Sequence, residues 1–190
     1  MRVFTIPNLI TLLRLCCLPI FLWMLFVQES VAGAALLLGV LGMTDWVDGW
    51  WARRFGQESE FGAMFDPTVD RLLFVVASAS VIVHPGVPDW FLVAVLVRET
   101  LVGSMMILGK AMGMKRFPVT TLGKRYTFLL MMAVPLLLLG TSGHPTADFG
   151  WVAGWVVGIP GLLLSWYTAI DYVPRVRAAV RAGRAERGVR

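Results

Sequence analysis

Asp45, Asp48, Asp66 and Asp70 fall within 26 positions of a chain that is 57% hydrophobic and only 15% charged. Carboxylates in such apolar surroundings are costly, so four at helical spacing imply a shared cation or a chemical task. Asp45 and Asp48 are spaced i, i+3, and Asp66 and Asp70 i, i+4, so each pair shares one face of a helix. Four converging carboxylates cannot all stay ionised without cations. Ligation by oxygen alone suits Mg²⁺ or Mn²⁺ rather than a soft metal. Beside the acids, Gly49, Ala52 and Gly62 are small enough for a ligand to approach the backbone, and Arg53 can pair with a phosphate. Two cations bridging a diphosphate would polarise it and stabilise a leaving phosphate, with a spare carboxylate as general base. The pattern points to attack on a pyrophosphate. Ion pairing of these acids with Arg53, Arg54, Arg71 and Arg98 for stability alone predicts alternating signs along the helices, not four clustered acids.

The elements that must carry this cluster are membrane helices. A mean hydropathy of +0.73 places the 190-residue chain among polytopic membrane proteins, with room for one membrane domain. At about 20 residues per bilayer crossing, six spans are expected near 7–27, 31–53, 64–84, 89–110, 125–140 and 149–173. The fold expected is all-α, with a membrane domain over 1–174 and a basic tail over 175–190. The first span holds Asn8 and Arg14, is too long for a signal peptide core, and lacks a small-residue cleavage site.

Basic residues set the orientation. The turns near 28–30, 85–88 and 141–148 contain no Lys or Arg. The alternate turns carry Arg53, Arg54, Lys110, Lys115, Arg116, Lys124 and Arg125, and the tail carries six more arginines. Both termini and both basic turns are therefore expected on the cytoplasmic side. Asp45 lies about 21 Å along an inward-running span, and Asp66 and Asp70 open the next, so the two pairs should meet at one depth on that side. The sequence pI of about 9.8 then describes a face suited to anionic headgroups or phosphorylated substrates, not to nucleic acid.

Other features carry less. Cys16 and Cys17 are adjacent within a span and read as core, and His84 and His144 sit in outer turns next to prolines. Gly150, Gly154 and Gly158 form a small-residue ridge for close helix contact, within the bundle or between two chains. Pro135 and Pro160 are expected to kink their spans. The tail after Pro174 reads equally as a short amphipathic helix or as a solvated end.

From Asp45 to Asp70 the sequence closely resembles the CDP-alcohol phosphatidyltransferase family, whose signature is D-x2-D-G-x2-A-R-x8-G-x3-D-x3-D. Asp45, Asp48, Gly49, Ala52, Arg53, Gly62, Asp66 and Asp70 supply it without departure in identity or spacing. The resemblance implies two Mg²⁺ or Mn²⁺ ions held by Asp45, Asp48, Asp66 and Asp70, with Asp70 also acting as base. It implies that Gly49, Arg53 and Ser59 contact the CDP moiety of CDP-diacylglycerol, with Ala52 and Gly62 beside them. Pro7-Asn8-Leu9-Ile10 resembles the family's first-helix segment that closes over the nucleotide. The acceptor hydroxyl would attack the lipid-side phosphate and expel CMP, in a homodimer in the bacterial cell membrane.

The signature does not name the acceptor. Arg71 after Asp70, and Pro118-Val119-Thr120 before Gly123-Lys124-Arg125-Tyr126-Thr127-Phe128, resemble the actinobacterial cardiolipin-forming branch. That implies phosphatidylglycerol as acceptor, with glycerol 3-phosphate the alternative. Arg98, Arg116, Lys124 and Arg125 are the candidates for its phosphate. Arg98 stands beside Glu99 in mid-span, where it either faces a functional cavity or forms an internal ion pair. An alternative of another class is a divalent-cation transporter. Against it, no inverted repeat is visible and the acids sit at one depth.

Overall fold

In the computed structural model the chain is described over residues 6–55, 62–114 and 121–188, with side chains described at 9–44, 66, 68–114 and 126–182. The described residues form six helices and no strands: α1 (Ile6–Phe26), α2 (Val31–Phe55), α3 (Gly62–Val83), α4 (Asp89–Ala111), α5 (Thr121–Gly140) and α6 (Ala147–Gly188). These follow the apolar runs of the sequence closely. By length and composition α1, α4 and α6 can each cross a membrane, whereas α2 and α5 contribute shorter apolar stretches, Val31–Thr44 and Tyr126–Gly140. The described residues are thus all-helical, with the apolar helices of a membrane protein.

Among the described residues α1 packs on α2 and α3, α4 on α3 and α6, and α5 on α2 and α6. α1 turns a 3-4-spaced stripe inward: Thr11, Arg14, Leu18, Phe21 and Leu25 are all buried. Its apolar part joins a core with Leu73 and Val81 of α3, Phe91 and Val95 of α4, and Leu137 and Leu138 of α5. At the end of the bundle where α4 and α6 begin, Trp90 stacks on Trp155 with ring centroids 5.7 Å apart, and Phe91 meets Trp155 edge-on at 5.4 Å. Offset and edge-on pairs of this kind stabilise beyond the area they bury.

The glycine ridge serves contacts inside the chain. A Cβ on Gly154 would lie 2.8 Å from the Leu137 side chain and 2.9 Å from its backbone nitrogen, and one on Gly150 2.9 Å from the Leu136 carbonyl oxygen. Backbone cannot retreat as a flexible side chain can. Gly154→Ala is expected to destabilise the α5–α6 pair by about 1–3 kcal/mol, the usual cost of overpacking. Thermal unfolding of the detergent-solubilised protein checks this.

α6 passes through Pro160 and Pro174 without interruption and continues to Gly188. Val176 and Val180, one turn apart beyond Pro174, are both buried. Val176 lies close to Gly109 near the end of α4, where an added Cβ would stand 3.3 Å from it. The basic segment therefore begins as a docked continuation of the last helix.

Candidate active site

α3 presents two of the four signature aspartates one helical turn apart, and α1 meets both. Thr11 Oγ1 donates a hydrogen bond of 2.7 Å to Asp66 Oδ1. Arg14 Nη1 donates to Asp70 Oδ1 and forms an ion pair with it. Thr11 and Arg14 are themselves buried, while the Asp70 side chain keeps 18% of its surface accessible. A guanidinium buried among apolar helices is tolerable only with a carboxylate beside it, which Asp70 supplies. Just beyond Arg14, a cavity of about 20 Å³ between α1, α2, α3 and α5 is walled by Leu38, Leu41, Leu73 and Ala77, with Arg14 its one polar lining residue.

The other side of α3 is tied to α4. Arg71 Nη2 donates to Glu99 Oε2 at 3.0 Å and to the Glu99 carbonyl oxygen at 3.2 Å. The opposite oxygen of that carboxylate, Oε1, takes Arg98 Nη1 at 2.5 Å. Arg98 is buried and spends its other donors on α6: Nε on the Ser165 carbonyl oxygen at 3.0 Å and Nη2 on Thr168 Oγ1 at 3.2 Å. Its guanidinium carbon lies 4.2 Å from the centre of the Tyr126 ring, a cation–π contact with α5. The turn from Asp66 to Arg71 is thus gripped from both sides, by α1 through Thr11 and Arg14 and by α4 through Glu99.

Of the expected site residues, Asp66, Asp70 and Arg98 have described side chains. Asp45, Asp48, Gly49, Ala52 and Arg53 lie in α2, Gly62 opens α3, Pro7 and Asn8 lie in the first turn of α1, and Lys124 and Arg125 lie in the first turns of α5. Their side chains, and Ser59 and Arg116 altogether, fall outside the described residues. Among the described residues no three His, Cys, Asp or Glu side chains gather as a metal site. Asp66 and Asp70 nonetheless fit a hard divalent cation: two carboxylates on one helix face, each accepting an orienting hydrogen bond from α1 at Oδ1. Thr11 and Arg14 lie outside the signature. The signal that the sequence offers for them is a threonine and an arginine interrupting an otherwise apolar span.

The model of the family described as CDP-alcohol phosphatidyltransferase matches residues 4–167. A cardiolipin synthase (CMP-forming) of Streptomyces coelicolor is 36% identical over 186 residues, 95% of this chain and 86% of that protein. A putative cardiolipin synthase of Mycobacterium tuberculosis is 31% identical over 191 residues, covering 98% and 91%. A probable phosphatidylglycerophosphate synthase of the same species is 34% identical over 179 residues, covering 92% and 82%.

Proposed function

The chain belongs to the CDP-alcohol phosphatidyltransferase family, and from that premise we propose that it transfers the phosphatidyl group of CDP-diacylglycerol to phosphatidylglycerol, forming cardiolipin and releasing CMP. It is a phosphatidyltransferase of phospholipid biosynthesis. The observation that carries the acceptor is the likeness along nearly the whole chain to relatives named cardiolipin synthase, in line with Arg71 and the Pro118–Phe128 segment. Glycerol 3-phosphate is the second reading, favoured by the relative named phosphatidylglycerophosphate synthase.

In this proposal Asp45, Asp48, Asp66 and Asp70 hold two Mg²⁺ or Mn²⁺ ions. When bound, such ions would neutralise the diphosphate and stabilise the departing CMP. Gly49, Ala52 and Gly62 leave room for the nucleotide, Arg53 pairs with a phosphate, and Ser59, Pro7 and Asn8 complete the CDP contacts. Asp70 takes the proton from the acceptor hydroxyl as that oxygen forms its bond to the lipid-side phosphorus and the bond to CMP breaks. Arg116, Lys124 and Arg125 attract the acceptor's phosphate. Arg98 enters last among these candidates, because its donors already serve Glu99, Ser165 and Thr168. The working protein is read as a six-span homodimer in the cell membrane of an actinobacterium, with both termini and the active site cytoplasmic. Residues 1–174 form its membrane domain and 175–190 a basic tail.

The test offers the purified protein labelled CDP-diacylglycerol, Mg²⁺ and one alcohol at a time. CMP and cardiolipin should appear with phosphatidylglycerol, and both should vanish in EDTA. Turnover with glycerol 3-phosphate but not phosphatidylglycerol overturns the acceptor, and full turnover in EDTA overturns the metal site.

A further inference from the structure

The eight-residue signature lies wholly on α2 and α3, yet each described carboxylate of α3 accepts a hydrogen bond from α1. Thr11 and Arg14 are one turn apart and have no exposed surface to speak of, at 0% and 1%. An arginine and a threonine placed there do nothing for solubility and little for apolar packing. Each donates to Oδ1 of one of the two described carboxylates. Such a contact helps to fix the plane of a carboxyl group. Asp66 and Asp70 are also like charges one turn apart, a repulsive arrangement on any helix. A cation beside one and a donor beside the other hold them together.

We propose that Thr11 and Arg14 are positioning residues of the transfer reaction, holding Asp66 and Asp70 from α1 in the orientation that metal binding and proton abstraction require. Groups that orient metal-ligating side chains commonly matter nearly as much as the ligands themselves. Here the apolar part of the stripe, Leu18, Phe21 and Leu25, anchors α1 in the core and so fixes where Thr11 and Arg14 stand. Pro7 is four residues before Thr11, on the same face of α1. One rigid helix thus joins the segment read as closing over the nucleotide to the partners of the carboxylates. The threonine and the arginine divide the work: Thr11 orients by a neutral hydrogen bond, and Arg14 adds charge compensation to orientation.

This inference rests on the reading of Asp66 and Asp70 as metal ligands and of Asp70 as the base. The experiment measures kcat, the KM for CDP-diacylglycerol, and Mn²⁺ affinity by electron paramagnetic resonance without nucleotide, in Thr11→Val, Thr11→Ser, Arg14→Met, Arg14→Lys and Asp70→Asn. Thr11→Val and Arg14→Met should each lose about 10–100-fold in Mn²⁺ affinity or kcat. The KM for CDP-diacylglycerol should barely move. Thr11→Ser and Arg14→Lys should recover much of each loss, because they restore the hydroxyl and the charge. A role in stability alone would lower the melting temperature and leave kcat and Mn²⁺ affinity of the folded fraction at the wild-type level, which overturns the proposal. If Arg14→Met does not fold, Thr11→Val decides, and wild-type kcat and Mn²⁺ affinity in that variant overturn the proposal equally. Should Asp70→Asn keep its turnover, the assignment of the base falls instead. With Asp70→Asn inactive and the α1 variants like wild type, only the positioning role falls.

Discussion

Asp70→Asn is expected to lower CMP release by about 10²–10⁴-fold, the range that a positioned general base contributes. The substitution keeps volume and planarity but removes the carboxylate proposed to take the acceptor's proton. It also removes the negative partner of Arg14, a guanidinium with 1% of its surface exposed. Stripping one member from a buried ion pair costs about 3–5 kcal/mol. Asp70 keeps 18% exposure, so the pair is only partly desolvated and the lower end applies. Loss of turnover must therefore be separated from loss of fold. The double variant Asp70→Asn with Arg14→Gln removes both charges, and it should regain thermal stability while remaining inactive. Nucleotide and Mn²⁺ binding should weaken without vanishing, since Asp45, Asp48 and Asp66 persist. Recovery of turnover along with stability in the double variant would show that Asp70 acts through the fold alone. A divalent-cation transporter would look different from the start, with altered ion flux in the variant and no CMP release from the wild type.

The helices were legible because long apolar runs separated by Gly, Pro and charge leave few ways to divide the chain. The helix expected near 31–53 appears as Val31–Phe55, and the one near 89–110 as Asp89–Ala111. The last element ran on where the sequence left helix and solvated end equally open. Pro174 removes its own N–H donor and crowds the carbonyl four residues back, but the Ala- and Arg-rich residues after it are strong helix formers. Val176 and Val180 then repeat at a one-turn spacing that gives the extension a buried edge. The signature acids stood out in the sequence because carboxylates in an apolar chain are costly. Their partners were harder. Arg14 lies 56 residues from Asp70, and Thr11 55 from Asp66, so no local periodicity joins them. In the nearly uniformly apolar α1 nothing but their polarity set these two positions apart. Ser165 and Thr168 were invisible for the same reason, since they read as ordinary small polar residues until α6 is laid against α4.

Arg98 offers the second large effect, and its size follows from how fully its donors are spent. The Nε, Nη1 and Nη2 groups go to Ser165, Glu99 and Thr168, and the Tyr126 ring covers the face. Arg98→Met keeps much of the length and apolar stem but strands Glu99, whose side chain is only 12% exposed. A fully orphaned buried charge would cost about 3–5 kcal/mol. Arg71 still donates to Glu99 Oε2 at 3.0 Å, so part of the compensation survives and the expected loss sits near 3 kcal/mol rather than 5. Denaturant or thermal unfolding in detergent measures it. Adding Glu99→Gln should return most of the stability, because a neutral amide no longer needs the guanidinium. The same pair of variants separates the two readings of Arg98. If it serves as a tie between α4, α5 and α6, the double variant should fold and bind the acceptor with a KM near that of the wild type. If instead it holds the acceptor's phosphate, Arg98→Met should melt close to the wild type and show its damage as a raised acceptor KM, which Glu99→Gln could not repair. The bonds of all three guanidinium nitrogens to groups within the bundle favour the tie, and Arg116, Lys124 and Arg125 then stand as the proposed holders of the acceptor's phosphate.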